Sequence, residues 1–336
     1  MTEEIWSGVR YSSKRLLLFL IITIASFSLA GCGELEYDIP FDKDTTKSAF
    51  RFESQELREC AEPFAAGLCI PGEESASDNE IATGADSYAA AVLFDLKGKK
   101  TPYSRNPYAR LYPASMTKVL TALVAMENCD MDQILTANED CVLTANDVQK
   151  IKLRAGDTMT LDQALHLLLI YSANDVANLI AVNVGGSIEG FADMMNAKAV
   201  ELGATNSHFV NPSGLQDEDH YTTPYDMYLI FNKAITYGKF IEIIGMRDYS
   251  TVYHDSSGGE VAFECESTNR YLKGQCNPPA TVSVIGGKTG TTAAAGSCLV
   301  LLSKDSTDSA YISVVMRADN AEVLYDKTNS MLTLLQ

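Results

Sequence analysis

The hydrophobic period of this chain changes twice, and that constrains its fold more than any other feature. "SYAAAVLFDLKGKK" (87–100) reads as a strand followed by a glycine turn. Residues 130–250 are then mostly helical in pattern. From about Thr251 the period returns to that of strands: "TVSVIGGKTGTT" and "SCLVLLSKD", joined by "AAAG", then "AYISVVMRA". A lone leading strand cannot be stable, so the two ends of the chain must combine into one sheet with the helical stretch inserted between them. The short AAAG connection makes its two strands antiparallel. The expected class is α/β: an antiparallel sheet flanked by helices, with an all-helical subdomain at about 130–250 and a closing amphipathic helix, "EVLYDKTNSMLTLLQ".

Within the helical stretch, "TLDQALHLLLIYSANDVANLIA" carries Leu161, Leu165, Leu168 and Leu169 on one face, with Thr160 as its cap. "GFADMMNAKAVELG" is a second helix ending at Gly203, and "TTPYDMYLIFNKAITYG" a third, with Pro224 in its first turn and Gly238 past its end. Earlier, "PASMTKVLTALVAME" (113–127) reads as a buried helix, because Met116, Val119, Leu120, Leu123 and Val124 recur at helical spacing. Ser115 stands at its entrance and Lys118 one turn later, on the same side. The macrodipole disfavours a cation there, and a buried ammonium is costly unless paired or neutral. Either Lys118 snorkels to solvent, or its discomfort serves a purpose.

Composition narrows the function. A formal net charge of −18 over 336 residues argues against nucleic acid, whose phosphates need a basic face. The four histidines (His166, His208, His220, His254) show no metal-ligand spacing, and no GxSxG, GxGxxG or P-loop occurs. No metal or cofactor is implied.

The N-terminus points to export. Arg10, Lys14 and Arg15 precede the apolar run Leu16–Leu29, too short for a comfortable membrane span and right for a signal sequence. It ends in Leu29-Ala30-Gly31-Cys32, which resembles a bacterial lipoprotein signal with Cys32 as the lipidated new N-terminus. The expectation is a signal over 1–31 and a lipid anchor at the extracytoplasmic face of the cytoplasmic membrane. Residues 32–84 are acidic and weakly periodic, an expected tether with a small Cys60/Cys69 loop or else a segment packed on the domain through Phe50, Phe52 and Phe64; residues 85–336 form the folded domain. Cys129/Cys141 and Cys265/Cys276 are further sequence-local couples, candidates for disulfides in an exported protein. Cys298, in "SCLVLL", reads as a buried structural thiol.

Lys118 is the one lysine of sixteen with a serine three residues before it, and about one such pair is expected by chance, so alone it carries nothing. Ser-x-Asn occurs four times. Lys288-Thr289-Gly290 is the one Lys-[Ser/Thr]-Gly. Order and setting carry the weight: Ser115-x-x-Lys118 opening a helix, Ser172-x-Asn174 at a helix-to-loop position, then Lys288-Thr289-Gly290 on a strand near the C-terminus. The copies at Ser77, Ser104 and Ser267 lie too early or too late for the middle place.

Here the sequence resembles the active-site serine penicillin-recognising enzymes, which share these three signatures. Within them it is similar to the D-alanyl-D-alanine carboxypeptidases of the low-molecular-mass penicillin-binding proteins, peptidase family S11. "YPASMTKVLTAL", "SANDVANLIA", "MNAKAVELGATNSHFVNPSGLQDEDHYTTPYDM", "STNRYL" and "GGKTGTTAAAGSCLV" follow in that family's order over about Tyr88–Gln336. The resemblance implies the β-lactamase/transpeptidase-like fold and a DD-peptidase catalytic domain. It implies a peptidoglycan stem peptide ending in D-Ala-D-Ala as substrate and acylation by β-lactam antibiotics. It gives Ser115 as nucleophile, Lys118 as its base, Ser172 as proton relay to the leaving D-alanine and Asn174 as positioner of Lys118 and the substrate amide. Lys288 would raise the local positive potential, and Thr289 and Thr291, flanking Gly290, would hold the terminal carboxylate. The N–H groups of Ser115 and Thr291 would form the oxyanion hole.

The sequence also departs from the family. An arginine often follows the family's last strand and helps bind that carboxylate; Leu324 stands there, leaving Arg317 as the candidate substitute. Many members carry a C-terminal β-domain and an amphipathic membrane helix; here the Cys32 lipid is expected to take over the anchoring. A class A β-lactamase would need Glu-x-x-Leu-Asn between the second and third signatures, where Asn211-Pro212-Ser213-Gly214-Leu215 stands instead. A penicillin sensor would keep the signatures but bring a membrane-spanning signalling region.

Overall fold

The computed structural model describes residues 67–72 and 88–335; the signal, Cys32, Cys60 and most of the acidic tether lie outside the described residues. Among the described residues the chain forms two sheets. The larger has the order β2-β1-β9-β8-β7, all antiparallel, built from β1 (Tyr88–Asp95), β2 (Lys100–Arg105), β7 (Ser283–Thr292), β8 (Gly296–Lys304) and β9 (Ala310–Ala318). The first strand pairs the last along its length, from Tyr88 opposite Ala318 to Asp95 opposite Tyr311. The two ends therefore close one sheet, as the change of period requires.

Alternation along these strands divides the core. Val92, Phe94, Val300, Leu302, Ile312 and Val314 face the helical part. Ala91, Leu93, Leu299, Leu301 and Val315 face the other way, under helix α7 (Ala321–Leu332). Each large side chain so buried contributes about 1.5–3 kcal/mol. Helix α1 (Lys118–Asn128) runs through the larger cluster and is buried from Lys118 to Ala125.

The helical part differs in detail from its expectation. The Thr160 run is not one helix. Thr160 does cap α2 (Leu161–His166) in a capping box with Gln163, but the chain then loosens into a π turn at Leu167–Tyr171 and breaks at Ser172, whose φ is 69°. A new helix, α3 (Asn174–Val184), follows. Helices α4 (Ile188–Glu201) and α5 (Pro224–Ala234) match their periodicity, whereas Gly238 starts a further short helix, α6 (Gly238–Ile244). The subdomain is also not all helical. Short strands β3 (Ile134–Thr136) and β4 (Thr158–Thr160) pair with β5 (Asp248–His254) and β6 (Glu260–Glu266) in a second sheet.

Of the expected disulfides, the Cys60/Cys69 couple lies outside the described residues because Cys60 does, and Cys129, Cys141, Cys265 and Cys276 are free thiols. Cys141 is buried and its Sγ faces Asn138 Oδ1 at 3.5 Å, while Cys129 at the end of α1 turns to Asp130 O. Cys265 belongs to the core of the helical part and Cys276 packs on the opposite cluster, so closeness in sequence is not closeness in space. Cys69 is fully buried, its Sγ donating to Asp95 O at 3.1 Å and its N–H to the Tyr228 hydroxyl at 3.0 Å. Residues 67–72 are thus seated on the domain. Burial pushes the Cys298 thiol up to about 12, in keeping with an inert structural residue.

Candidate active site

The serine enters on a strained turn. Ala114 has φ 47°, and residues 114–117 form a 3-10 turn before α1 begins at Lys118. A non-glycine residue at positive φ costs on the order of 1 kcal/mol and persists only where its surroundings over-determine it. Here they do. The Asn211–Leu215 loop lies directly on the turn, with Gly214 at φ +82°, where a Cβ would stand 1.9 Å from Ala114 O. Asn211 Oδ1 holds that loop by accepting from the N–H groups of Ser213 and Gly214. Thr121 donates to Pro212 O at 2.6 Å.

Lys118 does not snorkel. Its side chain is fully buried, with Nζ 2.7 Å from Asn174 Oδ1, 2.6 Å from Ser213 O and 2.9 Å from Ser115 Oγ. Two of these partners are carbonyl oxygens that can only accept. A neutral amine has two N–H bonds, which satisfy both, and one lone pair, which is left for the Ser115 hydroxyl proton. Burial drives the Lys118 pKa well below the usual lysine range, the Lys288 charge pushes the same way, and Asp175 opposes them. The adjacent His220 is held neutral, burial pushing it down to about 4. Its Nδ1 accepts from the Val210 N–H, so its proton sits on Nε2, which donates to Thr117 Oγ1 at 2.8 Å.

Ser172 and Asn174 are brought in by the break between the π turn and α3. The left-handed Ser172 turns its hydroxyl towards Lys288, whose Nζ donates to Ser172 Oγ and to Thr289 O, both at 2.9 Å. Lys288 is fully buried, and burial brings it down to about 7. Asp175 braces this corner, its carboxylate accepting the N–H groups of Ile151, Lys152 and Leu153. Gly290 brings strand β7 against Ser115: a Cβ there would lie 2.8 Å from Pro113 O and 3.0 Å from Ser115 N. β7 is the edge strand, and Thr289 O points away from β8 to meet Lys288 Nζ. By the period of two, Thr291 presents its N–H and C=O to the same open edge.

A cleft of about 240 Å³ opens over these groups, lined by Ser115, Ser172, Thr289, Gly290 and Thr291 together with Thr268, Arg270 and Leu324. The structure thus collects Ser115, Lys118, Ser172, Asn174, Lys288, Thr289, Gly290 and Thr291 in one place. Arg317 is not among them; it lines a separate groove with Arg110 and Tyr112. The guanidinium in the cleft belongs to Arg270, which the sequence did not single out. Its neighbour Thr268, from a discarded Ser-x-Asn copy, lies 2.5 Å from Thr289 by their hydroxyls. The order of signatures carried no information on either residue.

Chemically the arrangement is a serine hydroxyl against a buried amine whose pKa is lowered, a second buried amine behind another serine hydroxyl, and an open strand edge beside cationic and hydroxyl groups. Comparison with known proteins points the same way. A family model described as D-alanyl-D-alanine carboxypeptidase matches residues 74–320. D-alanyl-D-alanine carboxypeptidase DacF of Bacillus subtilis is 35% identical over 221 residues, 64% of this chain and 54% of that protein. DacC of Escherichia coli is 30% identical over 256 residues, 73% of this chain and 60% of that one. The chain thus spans somewhat over half the length of these relatives. Among solved structures, the Streptomyces K15 DD-transpeptidase superposes with a TM-score of 0.66 at 22% identity, covering 75% of this chain and 97% of that one.

Proposed function

Because the chain belongs to the D-alanyl-D-alanine carboxypeptidase family of serine peptidases, we propose that it removes the terminal D-alanine from peptidoglycan stem peptides through an acyl-enzyme, and that penicillins acylate the same serine. The observation that carries this reading is the Lys118 amine held between two carbonyls with its third position on Ser115 Oγ. The peptide adds to the open edge of β7, its scissile carbonyl oxygen accepting from the N–H groups of Ser115 and Thr291. Ser115 passes its proton to Lys118 as Oγ attacks the carbonyl carbon. The proton moves on through Ser172 to the amide nitrogen, the C–N bond breaks, and D-alanine leaves. Water then attacks the ester, giving its proton to Lys118 and returning Ser115 to its hydroxyl form. Lys288 supplies positive potential throughout.

The carboxylate of the leaving D-alanine is read by Thr289, Thr291 and the Arg270 guanidinium, which takes the place left by Leu324. The same reading places Cys32 under a lipid at the outer face of the cytoplasmic membrane, after removal of residues 1–31. D-alanine release from a pentapeptide ending in D-Ala-D-Ala, measured beside Ser115→Ala, tests the reaction: release that persists in the variant rejects this mechanism. Loss of palmitate labelling in Cys32→Ala tests the anchor.

A further inference from the structure

A second groove, of about 500 Å³, lies on the other side of the nucleophile turn, lined by Arg110, Tyr112, Glu218, Ala293, Ala294 and Arg317. Three features make it more than a surface hollow. Neither guanidinium forms a direct ion pair among the described residues: Arg110 donates to Asn206 Oδ1 at 3.2 Å and stacks over Tyr221, with only the more distant Asp226 carboxylate feeling its charge, and Arg317 is exposed. Arg317 is also aimed at cost. The β8–β9 register slips between Ser297 and Leu299, and in the opposing strand Arg317 takes φ 56°, its N–H resting on Cys298 Sγ at 3.4 Å. Such a bulge re-aims a side chain, and a left-handed arginine is otherwise avoided. Finally, Ala293 and Ala294 keep the β7–β8 turn free of bulk, and both are exposed.

The polarity of the substrate brings the groove into the reaction, and this step rests on the carboxypeptidase reading above. With the leaving carboxylate at Thr289 and Arg270, a peptide on the β7 edge runs antiparallel to β7. Its earlier residues then continue past Thr291 towards Ala293, at about 3.3 Å per residue. The residue before the two D-alanines is the diamino acid of the stem, and its side chain falls at this groove. We propose that the groove selects a diamino acid whose side chain ends in both an ammonium and a free carboxylate, of the diaminopimelate type, over one ending in an ammonium alone. Arg110 and Arg317 take the carboxylate and Glu218 the ammonium. A carboxylate held between two guanidiniums that make no direct ion pair among the described residues is a strong charge-assisted contact for the site.

Three pentapeptides identical except at the third residue test this: diaminopimelate, its side-chain amide, and lysine. The expected result is kcat/KM for the free carboxylate about tenfold or more above both others. In Arg317→Asn, which tolerates the left-handed backbone, and separately in Arg110→Gln, the ratio of diaminopimelate to lysine peptide falls towards one. Because the readout is a ratio within one preparation, partial loss of folded protein does not imitate it. Equal kcat/KM for all three peptides with the unaltered protein overturns the proposal, as does a ratio untouched by both variants. Release from none of the three overturns the carboxypeptidase reading itself and the groove's role with it.

Discussion

Lys118 Nζ and Asn174 Oδ1 stand 2.7 Å apart although 56 residues separate them in the chain. A carbonyl oxygen at that position orients the amine without charging it. A carboxylate would do the opposite, since a nearby anion favours the protonated lysine. Asn174→Asp is therefore expected to keep the geometry and raise the Lys118 pKa. The base is then unavailable at neutral pH, and kcat/KM falls about 10²-fold or more there. The acid limb of the pH–kcat/KM profile moves to higher pH. An acid limb that stays in place in Asn174→Asp would mean that Lys118 is not the group titrating.

The two lysines predict the shape of that profile. In the proposed mechanism activity needs Lys118 neutral, so it is expected to rise as pH climbs through the lowered Lys118 pKa. It needs Lys288 charged, so in the free enzyme it declines as pH passes about 7. The expected curve for kcat/KM is a bell, its two limbs belonging to the coupled pair. Lys288→Arg keeps the charge at every working pH, so the descending limb disappears even if the crowded guanidinium lowers the maximum.

Lys288 also enters folding stability. Unfolded, its pKa returns to about 10.4, whereas in the fold it is about 7. Between those values the unfolded chain binds the extra proton, so stability contributed through this group rises with pH from about 7 to about 10 and is lost again on the way down. Lys288→Met removes the buried amine. It is expected to abolish D-alanine release, raise neutral-pH stability by about 1 kcal/mol or more, and flatten this dependence in urea unfolding followed between pH 7 and 10.

How much of this was legible depends on whether the signal is local. Ser115, Lys118, Ser172, Asn174 and Lys288 announce themselves by order along the chain, and the sheet by its returning period. Ser213 supplies a backbone carbonyl, which no side-chain pattern encodes. Strands β3 and β4 have three residues each, too few for an alternation to show. The break at Ser172 is hidden because leucines continue through the π turn, and only the fold demands a left-handed residue there. The cysteine couples misled for the converse reason: Cys265 and Cys276 are neighbours in sequence on opposite sides of the sheet.

Gly214 is the residue whose replacement is expected to disturb the site most for the fewest atoms. Its φ of +82° is already unfavourable for any side chain, and its Cβ would overlap Ala114 O at 1.9 Å. Both the loop and the nucleophile turn are backbone at that point, so neither can yield by a rotamer change. Gly214→Ala is expected to cost about 2–4 kcal/mol in urea unfolding and to slow acylation by labelled penicillin in the fraction that stays folded.

On the proposed mechanism, Arg270 would separate binding of the leaving group from the acylation chemistry. It lines the cleft with Thr289 and Leu324, its N–H donates to the Tyr325 hydroxyl at 2.9 Å, and its guanidinium lies 5.6 Å from the Tyr325 ring centre. No carboxylate among the described residues pairs with it. Arg270→Gln keeps the backbone contact to Tyr325 and removes only the charge. The expected result is a 10- to 100-fold loss in kcat/KM, on the order of 1.5–3 kcal/mol for a charge-assisted contact. A substrate whose terminal carboxylate is amidated should be turned over poorly by the unaltered protein and lose little more in the variant. Adding Leu324→Arg to Arg270→Gln restores a guanidinium from the neighbouring helix and should recover part of the lost kcat/KM. Equal losses on acid and amide substrates would remove Arg270 from carboxylate recognition and leave it a packing partner of Tyr325.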